Sequence, residues 1–240
     1  MIPLEYELSR INEIIYEMFD LVKTQIQEAK SSLLGMDMEL AESIIRRELR
    51  VNALEITIDR ECENLLACYN PVAADLRFVI SIIKIGESLE RIGDHAYRIA
   101  KYIQGGDVKK DSPLLKELNI ADLFNIVESM LENAMNALEN QDTVIAKKVF
   151  KQDKLINKSK KDAPDVIKKA VKNDLESVRT ALHLFSIIGK LERCGDLIKN
   201  ISEEIVFYIE AEILKHQKRN KKIRKRYEKK DDVGKEKNDD

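Results

Sequence analysis

The chain has 240 residues, of which 35% are charged and 5% aromatic, with no Trp, four Pro and eight Gly. This composition is typical of a mainly helical protein, long enough for one large domain or two small ones. No run of 18 apolar residues occurs, which excludes a transmembrane helix.

The net charge of −2 conceals an uneven distribution. From Lys215 onward there are 12 of the 41 basic and 6 of the 43 acidic residues, so the preceding chain is markedly acidic. This tail is basic first and acidic at its end, and it has no apolar periodicity, so we predict a solvated, disordered segment. A basic segment can contact nucleic acid or anionic lipid, but its acidic end competes for the same charges, and nucleic acid is not an expected partner.

The expected compartment is the cytoplasm. The first ten residues lack a basic region followed by an apolar one, so no signal peptide is expected. Cys62, Cys68 and Cys194 are an odd number without a CxxC motif, which favours reduced structural thiols.

Two long helices are predicted at the start of the chain. The first spans residues 4–34, between Pro3 and Gly35. The second begins after Asp37, a plausible cap, and continues to about Tyr69. Its polar stripe runs beside an apolar seam, at steps of four, three and four residues: Glu48, Asn52, Glu55 and Asp59.

The third predicted helix, over Leu76–Ile103, carries two stripes. Asn70-Pro71 is expected to begin it, as an N-cap followed by proline, and Gly105-Gly106 to end it. Its core seam is Phe78, Ile82, Ile85, Leu89, Ile92, Ala96, Ile99 and Ile103. Roughly opposite the seam, a second stripe begins apolar and becomes acidic: Leu76, Ile80, Ile83, Glu87, Glu90 and Asp94.

The second half is predicted to contain three further helices. The first covers residues 114–140. The second starts near Thr143 and ends near Asn173, with a kink or break at Pro164, because a proline inside a helix costs about 3 kcal/mol. The third covers Val178–Ile205 and continues beyond it.

The last helix repeats the third. A shift of 102 residues superimposes Leu89-Glu90-Arg91 on Leu191-Glu192-Arg193, and Gly93-Asp94 on Gly195-Asp196. Two copies of one helix indicate an internal duplication. The predicted fold is therefore all-α, with helical units at residues 1–106 and 107–214 and the tail at 215–240.

The duplicated acids are candidate metal ligands. Side chains at i and i+4 of a helix lie about 5 to 6 Å apart, close enough for two carboxylates to hold one metal ion or bridge two. One predicted set is Glu48, Asn52, Glu90 and Asp94, and the other is Asp153, Asn157, Glu192 and Asp196. Oxygen-only ligands favour magnesium, calcium, manganese or iron. The alternative is a solvated acidic face paired with nearby Arg and Lys residues.

Few signs of catalysis are present. The histidines form no HxxxH or ExxH motif, which argues against a ferritin-like oxidase. No nucleophile arrangement or glycine-rich phosphate loop can be identified. A carboxylate enzyme with two metal ions, hydrolase or oxidase, remains an alternative, as does a metal-free adaptor that docks basic helices.

These motifs resemble the PhoU family, the regulators of phosphate transport systems, over about residues 5–212. The residues that carry the resemblance are Val51-Asn52, Glu55, Ile58-Asp59, Asn70-Pro71, Asp75-Leu76-Arg77, Leu89 to Asp94, Asp153, Asn157, Leu191 to Asp196 and Asn200-Ile201. The resemblance implies two three-helix bundles related by a pseudo-twofold axis, with iron or zinc clusters on the bundle surface. It implies a homodimeric regulator without enzymatic activity. Such a regulator links the phosphate ABC transporter ATPase to a sensor histidine kinase, represses the phosphate-starvation response, and sits in the cytoplasm or peripheral to the inner membrane through its partners.

This chain departs from the family pattern at several positions. Glu48 stands where Asp is usual, and Arg98 stands where the second half has Asn200. Pro164 and the lysine-rich segment Lys158–Lys161 alter the fifth predicted helix. Metal occupancy in either half is therefore expected to differ from the family's.

Overall fold

The computed structural model describes residues 4–106, 108, 110, 112–173, 177–211 and 214. Within them the helices are α1 (Leu4–Gly35), α2 (Met38–Tyr69), α3 (Ala74–Gln104), α4 (Leu114–Glu117), α5 (Ile120–Glu139), α6 (Thr143–Asn173) and α7 (Val178–Glu210). No strand occurs in these residues, so the all-α prediction is confirmed. The predicted tail from Lys215 lies outside the described residues.

The helices form two three-helix bundles. In the first, α2 packs against α1 and α3, and in the second, α6 packs against α5 and α7. The bundles meet along α3 with α7 and α1 with α5. Each of these pairs runs antiparallel, as the contacts of Ser81 with Glu204 and of Tyr102 with Ser186 show for α3 and α7. This arrangement matches the predicted duplication about a pseudo-twofold axis.

The apolar seam predicted for α3 is confirmed, and the copy of it expected in the repeated helix α7 is buried as well. All eight seam residues of α3 are buried, and so are Leu184, Ile187, Leu191, Cys194, Ile198, Ile201 and Ile205 of α7. They belong to one hydrophobic core that runs through both bundles. Burial of this apolar area is the main favourable contribution to folding.

In the first half, the helix ends follow the predicted boundaries with one correction. Asp37 caps α2, accepting a hydrogen bond from the Leu40 amide at 2.9 Å. Asn70 was predicted to begin the next helix, but it ends α2 with φ 47°, and α3 begins only at Ala74. Asn tolerates this left-handed conformation better than most residues.

The second half differs from the prediction at two points. The single helix predicted over residues 114–140 is divided into α4 and α5 at Leu118 and Asn119, where Asn119 has φ 49°. Of the kink or break predicted at Pro164, the break is wrong, because α6 continues through this residue, and the kink stays a prediction. Ile156 and Ala163 of α6 are buried in the core, and their packing holds the helix in place up to Pro164.

No helix within the described residues is both long and apolar enough to cross a membrane. The three cysteines are free thiols, and Cys62 and Cys194 are buried while Cys68 is exposed. Burial raises the pKa of the Cys62 thiol to about 12, so this thiol stays protonated at neutral pH.

Candidate metal-binding faces

A row of acidic side chains follows the line where α2 packs against α3. We call it the first acidic face, and it consists of Glu48, Asn52, Glu55, Asp59, Glu87, Glu90 and Asp94. All of these except Glu87 are half-buried, because the groove between the two helices covers one side of each. The structure therefore brings together the four residues predicted as the first ligand set, with three further carboxylates.

The contacts of the first face leave most of its carboxylates without a cation. Arg98 Nε donates a hydrogen bond to Asp94 Oδ2 at 2.8 Å, and Arg91 lies 3.8 Å from Glu87. Asn52 Nδ2 donates to Glu48 Oε1 at 2.9 Å. Among the described residues, no Lys or Arg forms an ion pair with the remaining carboxylates, which are Glu48, Glu55, Asp59 and Glu90.

Burial and like charge act together on this face. The pKa of Glu90 is raised by burial first and then by the negative charges of Asp94, Glu55 and Glu48. Burial also raises the pKa of Glu55 and Asp59, to which neighbouring carboxylates, Glu87 among them, contribute. Arg91 opposes the shift at Glu90 but does not cancel it, so the first face keeps an excess of negative charge, and a bound cation would relieve the repulsion.

The second acidic face is built from the matching positions of α6 and α7, which are Asp153, Asn157, Glu192 and Asp196. Asp153 is buried, at 6% exposure, and Asn157 Nδ2 donates to its Oδ2 at 3.1 Å. Lys199 Nζ lies 3.1 Å from Asp196 Oδ1 and 3.6 Å from Asp153 Oδ2.

A second lysine pairs with the remaining carboxylate of this face, so two ammonium groups serve three carboxylates. Lys160 Nζ of α6 lies 2.8 Å from Glu192 Oε2 of α7. Every carboxylate of the second face therefore has an ammonium group within 4 Å. Burial raises the pKa of Asp153, while the charge of Lys199 opposes that shift.

The glycines between the paired acids are sites of close packing. A Cβ atom at Gly93 would lie 3.1 Å from Gln25 Oε1 and 3.2 Å from Val51 Cγ1. A Cβ atom at Gly195 would lie 3.1 Å from Ile156 Cδ1 and 3.6 Å from Asp153 Oδ1. Neighbouring helices approach both glycines, which accounts for glycine inside each helix despite its low helix propensity.

The two faces differ in how well they suit a metal ion. The first offers only oxygen ligands and an unbalanced negative charge, as hard cations require. In the described residues, however, no three His, Cys, Asp or Glu side chains are grouped so that they could hold an ion, so a single-ion centre is not preformed. The second face has a poor fit, because ammonium groups already lie among its carboxylates.

The two lysines are the residues that sequence reasoning missed. Lys160 lies within the lysine-rich segment noted in the sequence, but its partner on α7 could not be assigned from spacing. Lys199 follows Asp196 by three residues, a spacing that brings helical side chains together, and this signal could have identified that pair. Its contact with Asp153 depends on how α6 packs against α7.

The fold and the acidic faces define a class of protein: a duplicated, all-helical protein with one carboxylate face in each three-helix bundle. The family model described as "PhoU domain" matches twice, over residues 15–103 and 120–205. The chain belongs to the PhoU family.

Its relatives support this assignment across most of the chain. A phosphate-specific transport system accessory protein PhoU homolog of Aquifex aeolicus is 32% identical over 88% of this chain and 95% of that protein. A Serratia marcescens protein named PhoU is 29% identical over 88% of this chain and 86% of its own length. These relatives are named as accessory proteins, not as enzymes.

Solved structures give the same result. The crystal structure of PhoU from Pseudomonas aeruginosa matches with a TM-score of 0.82 at 27% identity, covering 88% of this chain and all of that one. The crystal structure of the phosphate transport system regulatory protein PhoU from Streptococcus pneumoniae matches with a TM-score of 0.78 at 29% identity, covering 88% of this chain and 99% of that one.

Proposed function

We propose that this protein is a regulatory adaptor of phosphate uptake that binds metal ions at its first acidic face. The observation that carries the proposal is that a chain with two PhoU domains has a carboxylate face between α2 and α3 whose negative charge is only partly balanced. The relatives are named as accessory proteins of phosphate-specific transport, which supports the transport role.

The proposed partners are the ATPase of a phosphate ABC transporter and a sensor histidine kinase. In this proposal the protein acts in the cytoplasm as a homodimer, reaches the membrane only through these partners, and represses the phosphate-starvation response when phosphate is plentiful. It has no catalytic activity of its own, so its carboxylates bind metal rather than turn over a substrate.

At the first face, Glu48, Glu90 and Asp94 would supply carboxylate oxygens to the ion and Asn52 an amide oxygen. Iron or zinc is the proposed metal, with manganese, magnesium and calcium as chemically suitable substitutes. The bound ion would supply positive charge to the groove between α2 and α3, and this change of charge is what a partner would recognise. The protein's own contribution is to hold the carboxylates close together on two packed helices.

The regulatory part is tested by deleting the gene and measuring a phosphate-starvation promoter in phosphate-rich medium. Derepression that the wild-type gene reverses is expected, and unchanged expression would contradict the regulatory role. Purified ATPase and kinase domains should each bind the wild-type protein in a surface-binding assay. Absence of binding to both would contradict the proposed linkage.

The metal part is tested with the variant E90Q/D94N, which removes two charges from the first face. The matched control is D20N/E42Q, which removes two exposed carboxylates from α1 and α2. We expect E90Q/D94N to purify with less metal than the wild type and to fail to restore repression. The control should purify with the metal content of the wild type and restore repression. Equal metal content in the two variants would contradict metal binding at this face.

A further inference from the structure

The two acidic faces have the same ligand positions but different neighbours. A shift of 105 residues superimposes α2 on α6 and places Glu48 on Asp153 and Asn52 on Asn157. The same shift places Lys160 where the first half has Glu55. Between α3 and α7, the shift of 102 places Lys199 where the first half has Tyr97. Each difference adds positive charge to the second face.

Both lysines contact carboxylates that occupy the same positions as the proposed metal ligands of the first half. Lys199 lies between Asp153 of α6 and Asp196 of its own helix. Lys160 extends from α6 to Glu192 of α7. The two ammonium groups therefore link α6 to α7 as a metal ion at the first face would link α2 to α3, the matching helices of the first half.

The burial of Asp153 distinguishes this arrangement from an ordinary surface ion pair. The Asp153 side chain is only 9% exposed, and a buried carboxylate needs a nearby cation to stay charged. Among the described residues Lys199 is the cation that lies next to this carboxylate, and Asn157 donates a hydrogen bond to the same oxygen. A metal ion that entered here would have to displace that ammonium group or lie beside it, against the repulsion of like charges.

The first face shows the opposite balance. Its four unpaired carboxylates lie close enough together to repel one another, and Arg98 neutralises only Asp94 at one end. A cation therefore gains more favourable electrostatic energy by binding at the first face than at the second.

From these contacts we infer that Lys160 and Lys199 replace a bound cation in the second half, so that metal binding is confined to the first acidic face. This inference rests on the proposed function, because it assigns the metal of that proposal to one half. The second face then becomes a fixed electrostatic link between α6 and α7 that does not depend on metal supply.

The test counts bound manganese, a hard divalent cation, on the full-length protein after equilibrium dialysis. The first variant, E192Q/D196N, removes two acids of the second face and should bind as many ions as the wild type. The second variant, K160E/K199Y, gives the second half the residues of the first half at the matched positions. It should gain about one bound ion per chain, by restoring the charge of the first face.

Two outcomes would overturn the inference: loss of bound manganese in E192Q/D196N, or a folded K160E/K199Y that gains none. Circular dichroism establishes folding, and if K160E/K199Y does not fold, K160Q/K199Q provides the same test without added negative charge. A wild type that binds no manganese would contradict the metal site of the proposed function. K160E/K199Y would then still decide the inference, since a gain supports it and no gain overturns it.

Discussion

The buried side chain of Gln25 lies directly against the backbone of Gly93, and its Oε1 atom would be only 3.1 Å from a Cβ atom at that glycine. Gly93 separates Glu90 from Asp94 along α3, so this contact between α1 and α3 lies directly behind the first acidic face. Val51 of α2 approaches the same point at 3.2 Å. Three helices thus meet at Gly93, and a larger residue there would have to displace the side chain of Gln25 or Val51.

The first prediction concerns this close approach. Gly93→Ala should lower the free energy of unfolding by about 1 kcal/mol, because overpacking costs about 1–3 kcal/mol and outweighs the helix propensity gained. The matched control is Gly189→Ala in α7, where nothing lies within 4 Å of the added Cβ atom. That variant should be stabilised by about 0.5–1 kcal/mol. Urea unfolding measures the unfolding free energy of both variants. Stabilisation by Gly93→Ala would show that the side chains of Gln25 and Val51 can move aside at little cost.

The second prediction concerns Gln25 itself. Neither polar atom of its fully buried amide has a hydrogen-bond partner among the described residues. An unsatisfied buried polar group costs about 1–3 kcal/mol. A shift of 105 residues from α1 to α5 places Met130 at the position of Gln25, and Met130 approaches Gly195 as Gln25 approaches Gly93. Gln25→Met should therefore raise the unfolding free energy by about 1 kcal/mol.

The measurement is urea unfolding with a metal chelator present, so that changes at the acidic face do not contribute. Met130→Gln is the reciprocal control, and it should be destabilised because it buries an amide in an apolar contact. Destabilisation of Gln25→Met would mean that the amide is satisfied in solution, for example by a buried water.

The third prediction compares the two acidic faces in metal-free protein. Glu90→Gln should stabilise the fold, because it removes one of several carboxylates that repel one another. Glu192→Gln should destabilise it, because it removes the partner of Lys160. Each change should be up to about 1 kcal/mol, the usual range for partly exposed charges. Thermal unfolding in chelator checks the sign, and shifts in the same direction would contradict the electrostatic difference between the faces.

The fourth prediction concerns the proline inside α6. Pro164 is exposed and lacks the amide hydrogen that would bond to the carbonyl of Lys160. Pro164→Ala should therefore stabilise the protein by about 1–3 kcal/mol. The control is Asp162→Ala, at an exposed neighbouring position, which should change the unfolding free energy by no more than about 0.5 kcal/mol. An unchanged or lowered unfolding temperature for Pro164→Ala would show that the proline relieves strain elsewhere.

Most of the fold could be predicted from the sequence because the signals are periodic and local. The seam from Phe78 to Ile103 repeats at helical spacing, and its copy in α7 lies 102 residues later. Such spacing indicates which side of a helix is buried, whatever it packs against. The break expected at Pro164 did not occur, because core packing around Ala163 outweighs the local preference of one residue.

The sequence by itself determined the helices, their duplication and the positions of the paired acids. The tertiary structure alone decided which charges meet. In the sequence Glu55 and Glu87 belong to stripes on two separate helices and to neither predicted ligand set, yet the packing of α2 on α3 adds them to one negative face. The sequence marked Lys160 only as part of a lysine-rich segment and Lys199 not at all, yet the packing of α6 on α7 places both on the matching carboxylates. Electrostatic energy depends on distances between residues far apart in the chain, and those distances exist only once the helices have packed.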